Sequence, residues 1–196
     1  MSIVRLALDG GTPVRRTPLP QRKPFGDEEV ELVTQALRSQ NLFRWGGTFV
    51  SQLEERFAEF YGAGGAAACT SGTASLHLAM GALNPDPGDE VITAPITDLG
   101  SVIPILYQGA IPIFADVDPE TGNMDPADTE AKVTSRTRAI MLIHLFGSPA
   151  PIDRFLAVAR KHNLPLIEDA SQCHATRYHG RYAGTFGDIG CFSLQQ

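Results

Sequence analysis

The stretch that most constrains this chain is Leu164-Pro-Leu-Ile-Glu-Asp-Ala-Ser-Gln-Cys-His174. Leu164 to Ile167 form a short apolar run, which fits a strand buried on both faces of a sheet. The run ends in two carboxylates, Glu168 and Asp169, followed by small and polar residues. In an open parallel sheet, ligands bind just beyond the carboxyl ends of the strands. Asp169 therefore stands where an acid would be aimed at a bound cofactor. Strands of α/β proteins also end in Asp for turn or capping reasons, so this stretch alone leaves both roles open.

The rest of the chain supplies the sheet that such a strand needs. Val91 to Pro95, Ile111 to Asp116 and Ala139 to His144 read as strands. Between them, helices are expected over 99 to 108 (despite Pro104), from Pro126 to about Lys132, and from Ile152 to His162. Strands spaced by helices of this length imply right-handed crossovers and a largely parallel sheet. Arg177 to Gly184 reads as a hairpin around Gly180, and Ile189 to Leu194 as a last strand. Upstream, residues 1 to 24 are rich in Pro, Gly and Arg, as an extended arm would be. Asp27 is expected to cap a helix running to about Ser39, and Ser51 with Glu54 to form a capping box for a second. That second helix should turn Leu53, Phe57 and Phe60 inward. The division implied is 1–45, arm and first helix, and 46–196, part of a large α/β domain.

A second candidate site element precedes the sheet. Ala66 to Cys69 reads as a small-residue strand entering the turn Ser71-Gly72-Thr73, with a helix following. Such a turn offers free backbone N–H groups, hydroxyls and the positive end of a helix dipole, which together suit a phosphate. A plain Ser or Thr cap would look the same. His77, one turn into that helix, reads as a packed or solvated side chain. No GxGxxG loop appears, which weighs against a nicotinamide-dinucleotide site.

Composition excludes several classes. Of the 196 residues 43% are apolar and 19% charged, enough to bury a core, and the net charge of -6 disfavours a nucleic-acid partner. No apolar run reaches the roughly 18 residues of a membrane span, and the first residues lack the apolar stretch of a signal peptide. Cys69, Cys173 and Cys191 show no ligand spacing, and His144 and His162 have no companions at useful spacing. The expectation is reduced thiols, no metal site and a cytoplasmic protein.

Taken together and in order, these residues resemble the DegT/DnrJ/EryC1/StrS family of pyridoxal-phosphate-dependent sugar aminotransferases. The matching stretches include Ser71-Gly-Thr-Ala-Ser-Leu-His-Leu-Ala79, Gly88-Asp-Glu-Val-Ile92, Pro112 to Pro119 and Thr137-Arg-Ala-Ile140. They continue with His144-Leu-Phe-Gly147, Ile167 to Gln172, Gly187-Asp-Ile-Gly190 and Phe192-Ser193. The resemblance implies the fold-type-I architecture: a large α/β domain with a mostly parallel sheet, a small C-terminal domain absent from this chain, and a homodimer. It matches Asp169 to the aspartate that pairs with the pyridine nitrogen and Gln172 to the glutamine beside the ring hydroxyl. Gly72, Thr73 and Ser193 match the phosphate cup.

In the family the Schiff-base lysine comes five places after the Phe-Ser serine, which here falls two places beyond Gln196. A sister group of dehydratases has histidine at that position. At Asp98, relatives usually carry an aromatic ring that stacks on the cofactor. Asp98 is therefore a candidate for contact with the cofactor or the substrate amine, or else a cap for the helix beginning near Leu99. The activity implied is amino transfer from an amino-acid donor (glutamate or glutamine) to a keto-sugar or keto-cyclitol, with the Gln195-Gln196 pair closest to the aminocyclitol branch. The alternatives are a nucleotide-sugar dehydratase on the same fold and a truncated, non-catalytic homologue. Arg44 and Trp45 could approach a substrate, or serve an ordinary loop.

Overall fold

The computed structural model describes residues 5–19, 21 and 25–195. Pro20, Lys23 and Pro24 of the arm, and Gln196 of the terminal glutamine pair, lie outside the described residues. The chain divides into two compact units, one ending at Phe43 and the other Arg44–Gln196.

In the first unit, a short 3-10 turn (Ala7–Asp9) precedes helix α1 (Asp27–Arg38). Asp27 was expected as the cap, but it is the first helical residue and Gly26 is the cap. Glu29 reaches back and accepts the Gly26 N–H at 2.5 Å, leaving Asp27 and Glu28 to face the positive end of the helix dipole. The apolar residues Val30, Val33 and Leu37 of α1 are exposed.

The second unit is built on a five-stranded sheet of order β2-β1-β3-β4-β7, parallel throughout. Its strands are β1 (Glu90–Thr93), β2 (Ile111–Phe114), β3 (Thr137–Ile143), β4 (Leu166–Asp169) and β7 (Ile189–Cys191). Helix α3 (Gly72–Leu83) leads into β1, and helices α4 (Leu99–Tyr107), α5 (Pro126–Ala131) and α6 (Ile152–His162) connect β1 to β2, β2 to β3 and β3 to β4. The hairpin around Gly180 consists of β5 (Arg177–Tyr178) and β6 (Arg181–Tyr182). The central strands β3 and β4 are buried almost throughout, with Ile140, Met141, Leu142, Leu166 and Ile167 in one core with Leu76, Met80, Ile92, Ile105 and Phe155. Two-faced burial explains why these strands read as continuous apolar runs rather than alternating ones.

Helix α2 (Phe49–Tyr61) departs from expectation in two ways. Ser51 lies inside the helix, because Thr48 is its cap, and Glu54 pairs elsewhere. The Glu54 carboxylate takes Arg44 Nη2 at 2.6 Å and the Ala68 N–H at 2.9 Å. A guanidinium is a stronger partner than a helix's own amide. Leu53 and Phe60 are exposed, whereas Tyr61 is buried and packs with Phe57 and Phe192. The segment Ala66 to Cys69, expected as a strand, forms none. No described strand lies alongside it, and its Ala68 N–H goes to Glu54 instead.

Candidate cofactor site

Because the five strands are parallel, their carboxyl ends share one edge of the sheet. The register sets Ile143 beside Asp169 and Asp169 beside Cys191. That edge therefore presents His144 after β3, Asp169 to Gln172 after β4, and Phe192-Ser193 after β7. The N-termini of α3 and α4 open at the same place. Together they line a cavity of about 1430 Å³ whose wall includes Gly72, Thr73, Asp98, Ser101, Asp169, Gln172 and Ser193.

Asp169 is buried at 4% exposure. Its Oδ2 accepts the Ser101 hydroxyl at 2.7 Å and its Oδ1 accepts the Ser171 N–H at 3.0 Å. Ser101 in turn lies 2.8 Å from the Thr97 hydroxyl. With its own hydrogen given to Asp169, Ser101 accepts from Thr97. The acid is thus fixed by donors at the tip of the strand.

Glu168, the adjacent carboxylate, points to the opposite face, as strand alternation requires. It accepts the N–H groups of Gly184, Phe186 and Gly187 at 2.9, 2.6 and 2.7 Å, and His144 Nε2 lies 3.0 Å away. His144 Nδ1 accepts the Ala150 N–H at 3.2 Å, so its proton sits on Nε2 and is donated to Glu168. Burial, the largest influence, pushes the Glu168 carboxyl up. The bonds from His144, Gly187 and Gly184 outweigh it and hold the group below its ordinary range. Cys191, next to Asp169 in register, goes the other way: burial pushes its thiol up to about 12. It stays neutral there and is no nucleophile.

The α3 N-terminus forms as expected. Ser71 is its cap, accepting the Ala74 N–H at 3.0 Å. The N–H groups of Gly72 and Thr73, left free by helix geometry, have no protein partner among the described residues. A Cβ built on Gly72 would stand 2.7 Å from Ser193 Cβ and 3.2 Å from the hydroxyls of Ser193 and Ser171. Only a glycine admits this approach of α3 to β7. Two serine hydroxyls and two free amides at the positive end of a helix suit a phosphate monoester. The Thr73 hydroxyl lies against Gly100, whose hypothetical Cβ would also stand 2.8 Å from Asp98 Oδ1.

The structure places Asp98 in its capping position: it is the cap of α4, and its Oδ1 accepts the Gly100 N–H at 2.7 Å. Gln172 is exposed, and its Oε1 accepts the Phe146 N–H at 2.8 Å, which leaves its Nε2 free to donate. Arg44 is held by Glu54 and lies 4.8 Å from the Trp45 ring centroid. Ser101, Thr97 and Ser171 were not singled out from the sequence. Ser171 had a signal, standing two places after Asp169; Ser101 and Thr97 had none beyond position in a loop and helix. Among the described residues, no cluster of His, Cys, Asp or Glu could hold a metal.

A family model described as DegT/DnrJ/EryC1/StrS aminotransferase family matches residues 24–196. The chain belongs to that family. It is 38% identical over 197 residues to an L-glutamine:2-deoxy-scyllo-inosose aminotransferase of Streptomyces kanamyceticus, covering 98% of this chain and 46% of that one. The structure of an aminotransferase from Psychrobacter cryohalolentis matches with a TM-score of 0.86 at 39% identity, covering 91% of this chain and 45% of that one. An E. coli GDP-4-keto-6-deoxy-D-mannose-3-dehydratase with bound hydrated pyridoxal phosphate matches at 0.80 and 27% identity, covering 87% and 45%. The chain spans about half the length of the curated relatives it matches. Family membership carries the fold-type-I architecture and supports pyridoxal phosphate as the cofactor, and the donor set around Gly72 and Asp169 fits that group.

Proposed function

We propose that this chain is part of a pyridoxal-phosphate-dependent aminotransferase that moves an amino group from glutamate or glutamine to a keto-sugar or keto-cyclitol. The observation that carries this reading is the pairing of a buried, donor-fixed acid, Asp169, with the free amides at Gly72 and Thr73 and the Ser193 hydroxyl beside them on one sheet edge. Residues 1–45 serve as an arm and first helix, and 46–196 as part of the large cofactor-binding domain. The working protein is a cytoplasmic homodimer in this reading. No described helix is long and apolar enough to cross a membrane.

When bound, pyridoxal phosphate supplies an electron sink that makes the donor's Cα–H bond breakable. Asp169 would pair with the ring nitrogen and hold its proton there. Ser101 and the Ser171 amide keep the acid oriented, so no reorganisation is needed at the moment of reaction. The free amides of Gly72 and Thr73, with the Ser193 hydroxyl, would bind the phosphate. Gln172 would donate from Nε2 toward the ring hydroxyl, its other end being tied to Phe146. Asp98 caps α4 and contributes the shape of the wall.

The dehydratase neighbour supports a second reading on the same scaffold, loss of water from a keto-sugar. The complete gene product, loaded with cofactor and given glutamine and a keto-cyclitol, separates the two. Amino transfer produces a keto acid in step with an aminated cyclitol. Absence of any keto acid from glutamine or glutamate with every keto acceptor tried would overturn the aminotransferase reading.

A further inference from the structure

His174 has no role in the site as described, yet its ring touches two elements that meet there. It follows β4 and is exposed. Its Nε2 donates to the carbonyl oxygen of Ser193. Its Nδ1 lies 3.4 Å from the hydroxyl of Tyr61, which also accepts the Ala175 N–H at 3.2 Å. Burial pushes the Tyr61 hydroxyl up, the leading cause of its shift, so it stays protonated and can donate to Nδ1. A donor at Nδ1 leaves a ring hydrogen for Nε2, the nitrogen that faces Ser193. The rings reinforce this. Phe192, the residue before Ser193, packs on Tyr61 at 4.6 Å and on His174 at 5.7 Å between centroids.

We infer that His174, oriented by Tyr61, is a positioning residue for the phosphate cup: it holds the Ser193 backbone so that the Ser193 hydroxyl stays beside Gly72. The inference rests on the reading of Gly72 and Ser193 as a phosphate site. Ser193 follows the last strand and has no strand partner of its own. Among the described residues, its hydroxyl accepts only the Gln195 N–H, at 3.3 Å. Among the described residues, the bond from His174 is the one side-chain tie on its backbone.

The test compares affinities of the complete gene product for pyridoxal phosphate and for pyridoxal, which lacks the phosphate. A residue that only supports the fold would move both together. The Ser193→Ala variant should lower the affinity for pyridoxal phosphate about tenfold and leave that for pyridoxal unchanged. The His174→Ala variant should do the same to a lesser degree, about fivefold, and Tyr61→Phe less again. The His174→Gln variant, which retains an N–H donor for Ser193, should recover part of the loss. If Ser193→Ala lowers the ratio and His174→Ala does not, the positioning role is wrong while the cup stands. If both affinities fall equally in His174→Ala, its role is general support and the inference fails. If Ser193→Ala itself leaves the ratio unchanged, the cup has been misplaced and the inference falls with it.

Discussion

The Ser101 hydroxyl donates to Asp169 Oδ2 at 2.7 Å across 68 positions of sequence. This bond ties the start of α4 to the tip of β4 and gives the buried acid a neutral donor on one oxygen and a backbone amide on the other. A carboxylate held in this way is pre-oriented toward whatever cation the cavity binds. The same bond links Thr97, beside Asp98, to the acid through Ser101.

Substituting Ser101→Ala removes this donor and leaves the Asp169 oxygen without its partner. Loss of a hydrogen bond to a charged group costs about 1.5–3 kcal/mol. The expected result is a kcat lowered about ten- to a hundredfold in the complete protein. The variant should melt close to the parent if the missing oxygen's place is taken by water. Steady-state kinetics beside a melting curve check this, and Ser101→Thr should retain most of the activity.

The Asp169→Asn substitution keeps the shape and removes the charge. The fold should survive: the amide oxygen still accepts the Ser171 N–H, and the new NH2 can donate to the Ser101 hydroxyl, which is free to turn and donate to Thr97 instead. Activity should fall by several orders of magnitude, since removing one partner of a buried charge pair costs about 3–5 kcal/mol. Near-parental turnover in this variant would return Asp169 to a structural role.

Asp98 caps α4, and Asn caps nearly as well. The Asp98→Asn variant should therefore change stability by no more than a few tenths of a kcal/mol. Its titration of the cofactor's visible band against pH should overlay the parent's. A displaced titration curve would show that the Asp98 carboxylate acts on the cofactor's charge as well as on the helix.

Glu168 predicts a pH effect with a defined sign. Its carboxyl is held below its ordinary range in the fold, so its contribution to stability is present above the unfolded pKa of about 4.3. That contribution is lost as pH falls through the lower folded value. In Glu168→Gln the one remaining oxygen cannot serve three amides, and the new NH2 faces the donors Gly184 N–H and His144 Nε2. We expect a loss of about 3 kcal/mol at neutral pH. The difference from the parent should shrink below pH 4 in denaturant unfolding, and a gap that holds constant with pH would contradict the account.

The strand tips were legible in the sequence because β3 and β4 are buried on both faces and so read as unbroken apolar runs. The SGT turn was legible as a helix start because Ser71 is a cap residue and the amides of Gly72 and Thr73 are left free by helix geometry. What the sequence hid is long-range pairing. Nothing near Ser101 signals a carboxylate on another strand, and nothing near Glu168 signals that three amides of the 184–187 turn converge on it. Glu54 misled for the same reason: its spacing from Ser51 fits a capping box, but Arg44 reaches it first. The Ala66–Cys69 segment has the composition of a strand, yet strand state depends on a neighbour, which local composition does not report.

The most direct measurement of the central claim is a titration of the complete gene product with pyridoxal phosphate, followed by absorbance and by the mass of cofactor retained. The expected result is about one cofactor per chain, a visible band that shifts when glutamate or glutamine is added, and an affinity weakened about tenfold in Ser193→Ala. A folded protein that stays colourless and retains no cofactor after this treatment would contradict it.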